Sequence, residues 1–214
     1  MADDKSVVFV VDDEQEMRDS LADLLRAVGR RVVTFSSSES FLKSFDSSVP
    51  SCLVLDVRMP GMDGIELLRE LRKRSLSVPT VVITAYGDVP MAVDALKLGA
   101  MDFIQKPYRA QSLLGSVARC IDQDVLKHQQ DRKQARLAER LDRLTRRERE
   151  VAVLLATGKS GKQIASELFI SYNTLQNHRQ HVMDKTGAGS VAELTLMVLE
   201  AGTDQERRTI HKDA

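Results

Sequence analysis

The sequence predicts two domains of unlike class: a doubly wound α/β domain over residues 1–120 and an all-α domain of four short helices over residues 144–200. A helical linker over 121–143 joins them, and a polar tail covers 201–214. Three observations carry this prediction. Short, almost continuously apolar runs alternate with helical patterns in the first half, as parallel strands buried on both faces do. From Gln111 to about Leu141 a helical pattern runs with little interruption. Capping-box patterns and a tight turn then punctuate the last third.

The apolar runs are Val7 to Val11, Arg31 to Phe35, Cys52 to Leu55, Thr80 to Thr84 and Phe103 to Gln105. Between the first two, Met17, Leu21, Leu24, Leu25 and Val28 share one helical face, and Gly29 is a C-terminal stop. Pro90 suits the first turn of a later helix that stops at Gly99. Such alternation implies a flavodoxin-like strand order, with chemistry at the carboxyl ends of the strands.

The long helix is apolar at Leu113, Leu114, Val117, Ala118 and Ile121, then strongly charged. The charged part has apolar residues at Leu126, Leu137 and Leu141, too sparse for sustained heptads. A solvated linker helix is the expectation, with a dimerising coiled coil as the alternative.

Thr145 to Glu148 is a capping box that opens a helix carrying Val151, Leu154 and Leu155, and Gly158 ends it. A second helix holds Ile164, Ala165 and Leu168. The turn Phe169-Ile170-Ser171 follows, and a third helix runs from about Tyr172 to Lys185. Ser190 to Glu193 reads as another capping box before a fourth helix through Leu194, Leu196, Met197 and Val198, with the residues from Gly202 read as a frayed end.

Lys+Arg and Asp+Glu are 31 each, so no global field draws the chain to nucleic acid or an anionic membrane. Any nucleic-acid contact must be local. The two cysteines, Cys52 and Cys120, have no metal-like spacing and fit a reducing cytoplasm. The first residues are acidic where a signal peptide would be basic, and no apolar run approaches the roughly 18 residues of a membrane span. A cytoplasmic protein is expected.

In the first domain Asp12 and Asp13 follow the first strand, Asp56 the third, Thr84 the fourth, and Lys106-Pro107 the fifth. A parallel sheet brings these ends together. Three carboxylates there would repel one another unless a hard cation relieved them, and oxygen donors favour Mg²⁺. With Lys106 and the Thr84 hydroxyl nearby, the set suits accepting a phosphoryl group on Asp56. Taken singly, the acids could be helix caps, Thr84 ordinary turn chemistry and Lys106 a solvated charge.

Together VVDD, LDVRMPGMDG, VITAYGD and FIQKP make residues 1–120 resemble the receiver domain of two-component response regulators. The resemblance implies that Asp56 is the phosphoacceptor and that Asp12, Asp13, Asp56 and the backbone carbonyl of Arg58 surround Mg²⁺. It implies a sensor histidine kinase as donor and a switch in which Thr84 and Phe103 move together, although Phe103 also reads as a plain core residue. The helix from Pro90 to Leu98 with the following strand, where Met91, Ala92, Ala95 and Leu96 offer apolar area, is the expected surface for a phosphorylation-dependent homodimer, although a half-apolar helix also reads as one simply packed on its sheet.

The second and third helices of the second domain fit a helix-turn-helix, whose second helix lies in the major groove of double-stranded DNA. Its hydrogen-bonding residues Asn173, Thr174, Gln176, Asn177, Arg179, Gln180 and Lys185 are candidates for bases or phosphates, while Leu175, Val182 and His178 face inward. A metal pair of His178 and His181 lacks further ligands. LTRREREV, QIASELFIS and TLQNHRQHVMDK make residues 144–200 similar to LuxR-type DNA-binding domains, in the arrangement of FixJ-like and NarL-like regulators. That implies promoter DNA as the partner. Gln176, Thr186 and Gly189 depart from the residues common in such domains, respectively a basic, an apolar and a polar or basic one.

Residues 144–200 hold seven Lys+Arg against six Asp+Glu, so one copy should bind DNA weakly. An interaction protein is therefore one rival reading. A haloacid-dehalogenase-type phosphotransferase is the other, and Asp56-Val57-Arg58 lacks the second acid of its Asp-x-Asp motif. The chain is thus expected to be a phosphorylation-activated transcription regulator and not an enzyme.

Overall fold

The structure is a computed structural model that describes residues 6–85 and 89–210, with side chains through 200. The VITAYGD motif therefore ends, at Tyr86 to Asp88, outside the described residues. The chain divides into two compact units between Gln129 and Gln130.

The first unit alternates strand and helix: β1 (Val7–Val11), α1 (Gln15–Ala27), β2 (Arg31–Phe35), α2 (Ser38–Ser44), β3 (Ser51–Asp56), α3 (Gly64–Lys73), β4 (Thr80–Thr84), α4 (Val89–Lys97), β5 (Asp102–Gln105) and α5 (Ala110–Asp142). All strand pairs are parallel, in the order β2-β1-β3-β4-β5. Alternation along the strands sends Phe9, Val11, Leu53, Leu55 and Val82 to one face, against α3 and a cluster of Phe35, Phe41 and Phe45. Val8, Val10, Cys52, Val54, Val81 and Ile83 go to the other, against Leu21 and Leu25 of α1 and Leu113, Val117, Cys120 and Ile121 of α5. Burial on both faces is why these strands read as unbroken apolar runs.

Strand bounds fall within a residue of the apolar runs, with Ser51, Asp56 and Asp102 added to them. Val28 is a correction. It lies beyond the end of α1 as the C-cap residue and is half exposed, so it leaves the buried face. In α4, Ala95 is fully buried and Met91 packs on the core, so the outward apolar residues are Val89, Val93 and Leu96.

Helix α5 is continuous over 33 residues. Its first part through Ile121 belongs to the sheet's core, and buried Asp124 accepts the Ser51 N–H at 2.8 Å. Leu137 and Leu141 belong to the core of the second unit, so the solvated stretch is shorter than the linker expected over 121–143.

The second unit adds α6 (Arg146–Ala156), α7 (Gly161–Glu167), α8 (Tyr172–Thr186) and α9 (Val191–Ile210) around Leu144, Val151, Leu155, Ile164, Leu175, Val182 and Leu194. Thr145 and Glu148 form the expected capping box; Ser160 and Gln163 form a second that the motif reading passed over. At the start of α9, Ser190 caps the Glu193 N–H, but the Glu193 carboxylate reaches the Gly189 N–H instead of closing the box on Ser190. Helix α9 also continues through Ile210 where a polar tail was expected, because Gln205 to Arg208 are good helix formers and no proline interrupts them.

Candidate functional site

Strand order reverses at β1 and β3, and a doubly wound sheet opens its binding crevice at such a switch point. The register pairs Val11 with Leu55, so one further step sets Asp12 opposite Asp56. Both carboxylates are buried, at 1% and 6% exposure, against the usual placement of acids. Lys106 resolves the cost of that burial. Its Nζ lies 2.9 Å from Asp56 Oδ1 and 3.1 Å from Asp12 Oδ2, with the lysine side chain itself largely covered. The remaining oxygens are also occupied: Asp56 Oδ2 accepts the Arg58 N–H at 2.8 Å and Asp12 Oδ1 the Glu14 N–H at 2.9 Å.

Burial pushes the Asp56 carboxyl above its ordinary value; the bond and field of Lys106 oppose it, while Asp12 adds to it. Burial alone would depress Lys106, but its bond to Asp56 and the charges of Asp12 and Asp56 outweigh this and raise it. The ammonium is therefore fixed in its charged form.

The backbone around the pair is equally constrained. The Lys106 N–H donates to the Thr84 carbonyl at 2.8 Å, and the Lys106-Pro107 bond is cis. Thr84 is fully buried. A Cβ on Gly64 would lie 2.3 Å from the Asp56 carbonyl oxygen, so only glycine lets α3 begin this close to the acid. Arg18, which the motif reading missed, donates to the Asp12 carbonyl at 2.7 Å. The capping box of Asp63 and Glu66 was visible in the sequence as an acid three residues before a glutamate.

The sequence candidates separate here. Asp12, Asp56 and Lys106 are brought together. Asp13 is exposed beside them, and among the described residues no three His, Cys, Asp or Glu side chains converge as a metal-binding group. Phe103 is half-buried against the core, its N–H held by Asp102. The chemistry of the acids still fits a hard cation, because Asp12, Asp13 and Asp56 are oxygen donors at one crevice edge, with the Lys106 ammonium now taking one oxygen of each buried acid.

In the second unit Phe169 adopts a left-handed φ of 54° in the turn and is 96% exposed. Ser171 then caps α8 through the Thr174 N–H. Asn173, Asn177 and Arg179 are exposed, and their side chains make no hydrogen bond or ion pair among the described residues. Thr174 shares the cap with Ser171, Gln180 donates to Asp184 at 2.9 Å, and Gln176 is half-buried. Gln176, Arg179, Gln180, Asp184 and Gly187 line a concavity of about 650 Å³ beside α8.

Lys185, another of the DNA candidates, is engaged within its own domain. Its Nζ donates to both oxygens of buried Glu148, at 2.8 and 2.7 Å, and so ties α8 to the capping box of α6. His178 is half-buried and absent from the apolar core. Thr186 stands where an apolar residue is usual, and its hydroxyl is satisfied at 2.7 Å by the Val182 carbonyl within its own helix.

Residues 8–118 match the family described as response regulator receiver domain, and residues 142–198 the family of bacterial regulatory proteins, luxR family. The chain is 43% identical to nodulation protein W of Bradyrhizobium diazoefficiens over 92% of its length and 86% of that protein. It is 40% identical to the transcriptional regulatory protein FixJ of Azorhizobium caulinodans, over 91% of this chain and 92% of that one. Among solved structures, the response regulator StyR aligns with a TM-score of 0.85 at 41% identity, covering 92% of this chain and 99% of that one.

Proposed function

We propose, since this chain belongs to the two-component response regulators in which a receiver domain precedes a LuxR-family DNA-binding domain, that Asp56 is its phosphoacceptor and α8 its DNA-reading helix. The protein regulates transcription by phosphorylation-dependent DNA binding. The observation that carries the site assignment is the Lys106 ammonium bridging the buried Asp12 and Asp56 carboxylates.

Asp56 is the acid at the carboxyl end of the central strand β3, and Lys106 keeps a cation beside the oxygen that attacks. A sensor histidine kinase in the cytoplasm supplies the phosphoryl group. The phosphorus–nitrogen bond of the donor breaks as the bond to an Asp56 oxygen forms. The product adds about 1.5 to 2 negative charges next to Asp12 and Asp13. Receiver domains use Mg²⁺, which Asp12, Asp13, Asp56 and the Arg58 carbonyl would hold here; the ion neutralises charge on the transferring group. Lys106 then exchanges its bond to Asp56 for one to a phosphoryl oxygen, and Thr84 and Phe103 rearrange around it. The exposed Val89, Val93 and Leu96 of α4 receive the second copy of the chain.

Intact-mass measurement after incubation with acetyl phosphate and Mg²⁺ tests the acceptor. Wild type gains one phosphoryl group, Asp56→Asn gains none, and Arg179→Ala gains one while binding DNA more weakly. Equal uptake by wild type and Asp56→Asn would remove the assignment.

A further inference from the structure

We infer that Arg140 is a positioning residue of the DNA-reading surface: from the end of α5 its guanidinium holds the C-terminal end of α8. The inference rests on the reading of α8 as the helix that meets DNA. The last four carbonyls of any α-helix lack partners within it. Thr186 is the last residue of α8, and its carbonyl accepts a hydrogen bond from Arg140 Nε. A cation at this end is favoured by the helix dipole as well as by the bond.

The contact is a fitted one. Gly187 turns out of α8 with φ 63°, and a Cβ there would meet Arg140 Nη2 at 3.0 Å. Leu137 and Leu141, three residues before and one after, are packed in the core of the second unit, which fixes the direction of the Arg140 side chain. Gly187 also lines the concavity that carries Gln176 and Arg179. Arg140 thus holds Thr186, the neighbour of the glycine that closes one end of the surface offered to DNA, while being half-buried itself. Base contacts demand that α8 enter the groove at one angle, and contacts to phosphates demand much less. Loss of Arg140 should accordingly weaken reading of a specific site and spare non-specific binding.

The test uses the full chain phosphorylated with acetyl phosphate. A randomised 30-base-pair library is first enriched on wild type, and the enriched duplex then serves as the specific probe beside poly(dI-dC). Arg140→Ala should bind the enriched duplex about tenfold more weakly, the size of one lost charge-assisted bond. Its affinity for poly(dI-dC), its salt slope and its phosphoryl uptake should match wild type. Arg140→Lys, which keeps a donor and a charge, should recover part of the loss. Gly187→Ala, which crowds the guanidinium from the other side, should reproduce it, with circular dichroism reporting that both variants are folded.

Unchanged affinity of Arg140→Ala for the enriched duplex would overturn the inference. So would a parallel fall on both probes, which means general destabilisation, or a salt slope smaller by about one, which means that Arg140 touches a phosphate itself. A wild-type chain that enriches no duplex would instead remove the DNA-reading role of α8, and the inference with it.

Discussion

At the scale of single residues, Glu148 shows how one side chain takes on two tasks. Its backbone N–H and its carboxylate close the capping box with Thr145, and both carboxylate oxygens receive the Lys185 ammonium. The bond from Lys185, against the opposing effect of burial and with help from Thr145, holds the Glu148 carboxyl down from 4.5 to about 2. A depressed carboxyl contributes stability that is fully present above about pH 4.5 and is lost as the pH falls toward 2. With Lys185 partly open to water, the contribution is about 1–2 kcal/mol rather than the full value of the shift. Glu148→Gln should therefore lower the thermal midpoint of the second unit by several degrees at pH 7, and the gap should narrow steadily below about pH 4.5 as the carboxylate is protonated toward pH 2. A gap of unchanged size between pH 5 and pH 2.5 would mean that the glutamate acts through shape and not charge. Half of this arrangement was legible in the sequence, since Thr-x-x-Glu before an apolar stretch marks a helix start. Lys185 was not, because 37 residues separate it from Glu148 and its neighbours on α8 suggested DNA. Arg140 escaped for the same reason, its partner being a backbone carbonyl 46 residues away, and Arg18 escaped because a carbonyl partner, even six residues away, leaves no mark in the side-chain pattern.

At the scale of elements, legibility followed burial. The strands read clearly because both their faces are covered, and strand ends then placed Asp12, Asp56 and Lys106 at one edge. Helix ends were harder. Val28 continued the apolar spacing of α1 beyond its last turn, and Ser190 to Glu193 matched a box that Gly189 competes for. Helix α5 carries the larger lesson, because a charged sequence looked solvated while its Leu137 and Leu141 belong to a core and only Leu126 of the spaced leucines is exposed. Burying Leu137 and Leu141 and placing Arg140 on Thr186 contribute about 2–4 kcal/mol together. A fragment beginning at Gln130 should accordingly melt about 10 °C or more above one beginning at Leu144, as followed by circular dichroism. Equal midpoints would return the end of α5 to the status of a tether.

At the scale of the whole molecule, charge decides how two domains can make one regulator. The chain has no net charge, and residues 144–200 carry only one net positive charge. Lys185, Arg147 and Arg149 are moreover engaged with Glu148, Glu150 and Asp142, which leaves Arg179 as the exposed cation of α8 without a partner among the described residues. One copy neutralises few phosphates and binds weakly at physiological salt. Two copies joined through their receivers bind as one ligand, and the second contact then forms at an effective concentration that raises affinity by about 10² to 10⁴. Phosphorylation can therefore control DNA binding by controlling dimerisation, without altering any residue that touches DNA. Leu96→Asp tests this directly, since Leu96 is half exposed on α4 and far in sequence from Asp56. The variant should take up one phosphoryl group, sediment as a monomer, and bind a two-site duplex with the weak affinity and shallow salt slope of the unphosphorylated chain. Wild type should dimerise on phosphorylation and show about twice that slope. A Leu96→Asp chain that stays monomeric yet binds as tightly as phosphorylated wild type would mean that the phosphoryl group acts on the DNA-binding domain of the same copy.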